Sequence, residues 1–120
     1  MPPAVASWIR CRGWLLPAQK REGGEEAEVV ADLASGMAQI WEGEGAGLVT
    51  QCVAGLSGRS LHVWLAGGNL REIIALRPGV EAWARAQGCV RVTIDGRRGW
   101  AKVLRGWGYV IGDGVLERRL

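Results

Sequence analysis

Apolar positions recur at helical spacing from the start of the chain. Val5, Trp8, Ile9, Leu15 and Leu16 gather on one side of a helix drawn over residues 4–16, and Pro17 is expected to end it. Residues 18–24 (AQKREGG) read as a polar loop. A shorter helix follows over residues 25–34. Val29, Val30 and Leu33 form its apolar stripe, Glu25 and Glu26 suit its positive N-terminal end, and Gly36 lies just past its C-cap. Those glutamates have a structural explanation and are not read as a catalytic pair.

The period then shortens to two. Residues 37–41, 47–54 and 60–66 read as strands, separated by Glu42-Gly43-Glu44-Gly45 and Leu56-Ser57-Gly58-Arg59, which makes a three-stranded antiparallel meander. Alternation in the third strand puts His62, Trp64 and Ala66 on one face and Leu61, Val63 and Leu65 on the other. Both faces are largely apolar, so this strand is expected at the centre of the sheet, covered on both sides.

After Gly67-Gly68-Asn69 a helical pattern runs to Gln87 through Leu70, Ile73, Ile74, Leu76, Val80, Trp83 and Ala84; Pro78 marks either a kink or the start of a second helix. The β-branched run 90–94 is a strand that a helical crossover would set parallel to its predecessor. A helix from about Arg98 to Trp107 stops at Gly108. Residues 109–120 close the chain as a strand, or as a hairpin broken at Gly112-Asp113-Gly114. The expected order is ααβββαβαβ: one α/β (α+β) domain on a single mixed sheet.

At 120 residues, 48% of them hydrophobic and 22% charged, the composition fits one globular domain and not a disordered chain. No apolar run is long enough to span a bilayer, and Met1-Pro2-Pro3-Ala4 does not open an export signal. Cys11, Cys52 and Cys89 are odd in number and scattered, fitting neither a disulfide framework nor a metal site, so a reducing, cytoplasmic setting is expected. Nineteen glycines imply many turns; seven tryptophans, with one tyrosine and no phenylalanine, imply a core filled by indoles.

Charge is divided unevenly. Residues 1–58 carry four cations and seven anions, whereas residues 59–120 carry eleven cations and five anions. In the helix expected near the C-terminus, Arg98, Lys102 and Arg105 form a basic stripe opposite Trp100, Val103, Leu104 and Trp107. With Arg97, that stripe suits a phosphate-bearing cofactor, a nucleic acid or an acidic protein, but an ordinary solvated face is the favoured reading. No aromatic residue alternates with these cations, so single-strand nucleic-acid binding lacks specific support.

The stretches SGMAQIW (35–41), LHVWLAGGNL (61–70), EAWARAQGCVRVTIDGRRGWAKVLRGWGY (81–109) and the terminal VLERRL resemble the GNAT (N-acetyltransferase) superfamily. They are most similar to small, divergent GNAT-like proteins encoded by bacteriophages and prophages. The likeness covers residues 37–120 well; residues 1–36 form a divergent helical part. It implies a GNAT-like domain in which two neighbouring parallel strands, here 60–66 and 90–94, part to admit the pantetheine arm of acetyl-CoA. The following helix would then offer free N–H groups to the pyrophosphate. The implied cofactor-binding run is Leu65, Ala66, Gly67, Gly68, Asn69, Leu70 and Arg71, which departs from the family loop Q/R-x-x-G-x-G/A.

The family pattern N-x-x-A-x-x-x-Y-x-x-x-G-F falls on Arg97, Trp100, Leu104 and Gly108-Tyr109, so a leucine stands where the thiolate-protonating tyrosine would be. His62 is the candidate base for an acceptor amine. No metal site is expected. Three functions follow: an acetyl-CoA-dependent N-acyltransferase with an amine acceptor, a non-catalytic virion or assembly protein working with other phage proteins, or, less well supported, a nucleic-acid accessory protein. The expected location is the cytoplasm of an infected bacterium, or the virion.

Overall fold

The computed structural model describes residues 1–95, 103–112 and 115–120. They form helices α1 (Pro3–Glu22), α2 (Glu26–Ser35) and α3 (Leu70–Ala86). The strands are β1 (Ala38–Glu42), β2 (Ala46–Val53), β3 (Arg59–Gly68), β4 (Cys89–Asp95), β5 (Val110–Gly112) and β6 (Val115–Arg119). One six-stranded sheet runs in the order β1-β2-β3-β4-β6-β5. Only the β3–β4 pair is parallel, joined through α3; the other pairs are antiparallel. The fold is thus a mixed α/β sheet with the expected meander, and the C-terminal segment takes the hairpin form.

Helices cover both faces. Trp8, Cys11, Leu15 and Ala18 make the buried stripe of α1, which packs with Val29 and Leu33 of α2 on Ala38, Val49 and Leu65 of the sheet. On the other face Ile73, Val80 and Ala84 of α3 meet Leu48, Leu61, Val63, Ala66, Val92 and Ile94. Each large apolar side chain buried this way contributes about 1.5–3 kcal/mol. Of the described tryptophans only Trp8 is fully buried. The core is therefore mainly aliphatic, contrary to the indole-filled core expected from composition. Trp41 and Trp83 meet edge to face at 5.8 Å beside it.

Two boundaries differ from expectation, the end of α1 and the end of β3. Helix α1 continues through Pro17 to Glu22. The next turn is held because Ala18 and Gln19 are buried and Gln19 Nε2 donates to the carbonyls of Gly23 and Gly24, at 3.3 and 2.8 Å. Only residues 23 and 24 remain of the loop expected over 18–24, and Glu25 caps the next helix. Of the two readings left open at Pro78, the single helix is the one found: Pro78 lies inside α3.

Strand β3 extends to Gly68 and so absorbs the glycine pair. Its register against β2 shifts at Val49/Thr50, where a bulge interrupts the alternation. Leu65 consequently joins Trp64 on the α1/α2 side, and Ala66 turns to the α3 side. Strict alternation had assigned both residues the other way.

The first half of the helix expected over Arg98–Trp107, with Arg97, Arg98, Trp100 and Lys102, lies outside the described residues. Its described end is a 3-10 turn at Arg105–Trp107. Leu104 is buried as expected, but Trp107 is 45% exposed and lies over the Arg77 guanidinium.

Helix α2 begins and ends as its sequence suggests. Glu25 is the N-cap, its N–H donating to the Glu28 carboxylate at 3.3 Å, and Gly36 closes the helix with φ +82°. Glu26 ties α2 to α1, accepting from Arg12 and, at 2.9 Å, from the Trp8 indole N–H. The Arg12 hydrogen bond, followed by that from Trp8, holds the Glu26 carboxyl down at about 2. A carboxyl with a lowered folded-state pKa stabilises fully above its unfolded value of 4.5, and that contribution fades as pH falls toward 2. Glu26→Gln keeps an acceptor for the indole but loses the charge. In thermal melts it is expected to cost about 1 kcal/mol at neutral pH, with the gap from wild type closing at the acid end.

Candidate functional site

The corner where β3 passes into α3 contains the run marked out by sequence. Two glycines there serve close packing. Gly67 faces Gly47 across the β2–β3 ladder, and α1 lies over the pair. A Cβ on Gly47 would press on Cys11 and Leu15, and one on Gly67 would overlap the carbonyl oxygen of Trp14. Gly68 has φ +104°, and a Cβ there would overlap the Gly45 carbonyl oxygen and crowd Ala46.

The amide donors at this corner are largely committed within the chain. Asn69 N–H donates to the Gly45 carbonyl at 2.9 Å, while Glu72 and Ile73 N–H both donate to the Asn69 carbonyl at 3.1 Å. Asn69 is the N-cap of α3, and its side-chain oxygen accepts from Arg71 N–H at 2.9 Å. Glu72 places a carboxylate in the first turn, where it accepts from Gly45 N–H at 2.8 Å and pins the β1–β2 turn to the helix. A helix N-terminus attracts anions through unsatisfied N–H groups and a positive end. Here the chain supplies acceptors for most of those groups and an anion of its own. A coenzyme pyrophosphate does not fit this corner.

The other expected site residues are distributed around it. Leu65 is buried under α1 and Ala66 under α3; Leu70 lines a recess on the α3 face, and Arg71 is exposed. His62 lies between Leu61 and Val63, so its ring projects from the α1/α2 side of the sheet. There it is half-buried, with Nδ1 2.8 Å from Thr93 Oγ1. The polar row continues across the sheet through Gln51, His62, Thr93 and Glu117, which are successive register partners. Arg91, on the same face, pairs with Glu117 at 3.0 Å and donates to Ser60 Oγ at 2.9 Å.

The parallel pair itself has an asymmetric course. β3 and β4 pair from Arg59/Cys89 to Val63/Ile94, with one shift of register between Arg59 and Ser60. β4 ends at Asp95, whereas β3 continues five residues, Trp64–Gly68, with β2 alone beside it among the described strands. On the α3 side, next to the last paired residues, lies the apolar recess lined by Leu48, Val63, Ile73, Val92, Ile94 and Leu104, with Arg77 and Tyr109 also reaching it. His62 and this recess therefore occupy opposite faces of one strand.

Sequence reading missed the polar cluster beside the recess. Glu81, whose side chain is 3% exposed, is 2.7 Å from Arg77 and 3.0 Å from Arg118, and accepts from Tyr109 OH at 3.0 Å. Its only sequence signal is the i,i+4 spacing of Arg77 and Glu81, which is also common on wet helix faces. Burial, then the charge of Glu81, push the Tyr109 phenol well above its ordinary range.

Much of the basic half is likewise engaged internally: Arg77, Arg91 and Arg118 are in ion pairs, and Arg59 donates to the Gln87 carbonyl. Among the described residues no cluster of His, Cys, Asp or Glu is arranged to hold a metal ion. None of their helices is long and apolar enough to cross a membrane. No protein-family model matches the chain, and no curated protein matches it.

Proposed function

We propose that this chain is a divergent GNAT-like domain that acts as a binding and assembly module, of the kind phages encode, and not as an acetyltransferase. One observation carries the proposal: the first turn of α3 is closed by Asn69 and already holds the Glu72 carboxylate. An acetyl transferase of this architecture needs that turn for pyrophosphate, an acid for the leaving thiolate and a base near the thioester. Leu104 takes the place of the acid, and His62 faces away from the recess beside the β3–β4 pair. Fold alone does not supply the chemistry.

Surfaces suited to assembly are present. Among the described strands β5 is at the edge; its first residue, Val110, is 69% exposed, and Trp107 just before it is 45% exposed. Unpaired strand edges and exposed aromatic side chains are common means of joining protein partners.

Calorimetric titration with acetyl-CoA, paired with an acetylation assay on a panel of amines, tests the proposal. The expected result is no saturable heat at millimolar coenzyme and no transfer above the uncatalysed rate. Micromolar binding, competed by ADP, would overturn it in favour of the enzyme.

A further inference from the structure

One end of the sheet, where β1, β3 and β4 begin and β2, α3 and β6 finish, is built from residues 35–38, 52–60, 84–91 and 118–120. These four segments hold one another in place. Arg59 donates to the Gln87 carbonyl at 3.2 Å, Arg91 to the Ser57 carbonyl at 3.0 Å, and Leu120 N–H to the Val90 carbonyl at 3.0 Å. Together they contain five arginines and no aspartate or glutamate. Arg91 and Arg118 are taken up by Glu117 and Glu81, but Arg59, Arg85 and Arg119 are exposed. The opposite end, at the β1–β2 turn and the start of α3, is where Glu42, Glu44 and Glu72 lie, alongside Arg71. Apolar exposure follows the arginines. Of the eight large apolar side chains exposed among the described residues, four stand at the arginine end: Met37, Val53, Leu56 and Val90. Leu56 is fully exposed on the β2–β3 turn, which lies against Val90, 2.9 Å from where a Gly58 Cβ would stand. Single exposed apolar residues are ordinary; four of them at one cationic end are not.

We propose that this end of the domain docks on the surface of an anionic phospholipid bilayer. Leu56, with Val53 and Val90, enters the boundary between headgroups and acyl chains, and Arg59, Arg85 and Arg119 meet the lipid phosphates. A turn tipped by an aliphatic side chain suits hydrocarbon. A nucleic acid would offer phosphates to the arginines but nothing to Leu56, because bases stack on aromatic rings and guanidinium planes. In this pose Glu42, Glu44 and Glu72 are held away from the negative surface, so charge and insertion favour the same orientation. The docking does not rest on the assembly role proposed above: coenzyme titration tests that role, and vesicles test this surface.

The experiment is co-sedimentation of the full chain with vesicles of phosphatidylcholine alone and of phosphatidylcholine mixed with phosphatidylserine, at low and high salt. The chain is expected to pellet with the mixed vesicles at low salt and to be released by high salt. Phosphatidylcholine alone should hold it at least about tenfold more weakly. Arg85→Gln and Arg119→Gln should each lower partition about fivefold. Leu56→Ser should lower it about tenfold, and should melt as wild type does because Leu56 touches no core. Ile9→Ser is the control: Ile9 is exposed on α1 next to Arg10, which pairs with Glu42 near the opposite end, so partition should be unchanged. The proposal is overturned if mixed vesicles fail to pellet the chain at low salt, or if folded Leu56→Ser partitions as wild type does. It is equally overturned if the arginine changes abolish binding to duplex DNA while leaving vesicle binding intact.

Discussion

Gly67→Ala is expected to destabilise the protein by about 3 kcal/mol or more, the upper end for forcing an extra carbon into a packed interior. The added methyl group would overlap the Trp14 carbonyl oxygen, which belongs to helix backbone and cannot rotate away like a side chain. Relief requires lifting α1 from β2 and β3, which would weaken the contacts of Trp8, Cys11 and Leu15 together. Gly79→Ala is the control. Gly79 lies in α3 with open space where its Cβ would stand, so alanine there should stabilise by roughly 1 kcal/mol. Urea denaturation of the two variants should therefore shift midpoints in opposite directions. Equal, small shifts would mean that α1 does not sit on the glycine pair.

The second large effect is expected at Glu81. Its carboxylate faces two arginines and a phenol in a site where it is almost wholly buried. Removing one partner of a buried ionic cluster costs about 3–5 kcal/mol, because the remaining charges stay desolvated without compensation. Glu81→Gln should fall near the low end, since the amide still accepts a hydrogen bond while two guanidinium groups face no anion. Tyr109→Phe removes a single hydrogen bond and should cost about 1 kcal/mol. Glu81 joins α3 to β6 through Arg118, so its loss should also raise hydrogen exchange in β6. Unchanged exchange there would confine the role of Glu81 to its own helix.

Several elements were legible in the order of residues because local chemistry decides them. Glutamates opening α2 and Gly36 closing it are cap signals that need no tertiary context. The change from helical to alternating period at residue 37 announced the meander, and the β-branched run at 90–94 announced a strand after a helical crossover. Pro17 misled because proline's local cost was outweighed by burial of Ala18 and Gln19, which only the folded contacts reveal.

The glycine pair is ambiguous for a related reason. Gly67-Gly68 before a helix has the same appearance whether the missing side chains admit a phosphate or a neighbouring helix backbone. What distinguishes the two is Gly47, twenty residues earlier and opposite Gly67, together with Trp14 above them; no local pattern joins those three positions. The bulge at Val49/Thr50 exchanged the faces of Leu65 and Ala66, a change that periodicity cannot anticipate. The Glu81 cluster was hidden because Tyr109 and Arg118 come from distant segments, and Arg77, four residues away, has the spacing of an ordinary surface pair.

The joint between β3 and α3 is tested most directly by nuclear magnetic resonance. With the backbone amides of Gly67, Gly68, Asn69, Leu70 and Arg71 assigned, acetyl-CoA is titrated to millimolar concentration. Those five resonances are expected to stay in place, their surroundings already filled by Trp14, Gly45, Asn69 and Glu72. Saturable shifts centred on them, reproduced by ADP alone, would show a phosphate entering the corner and contradict it.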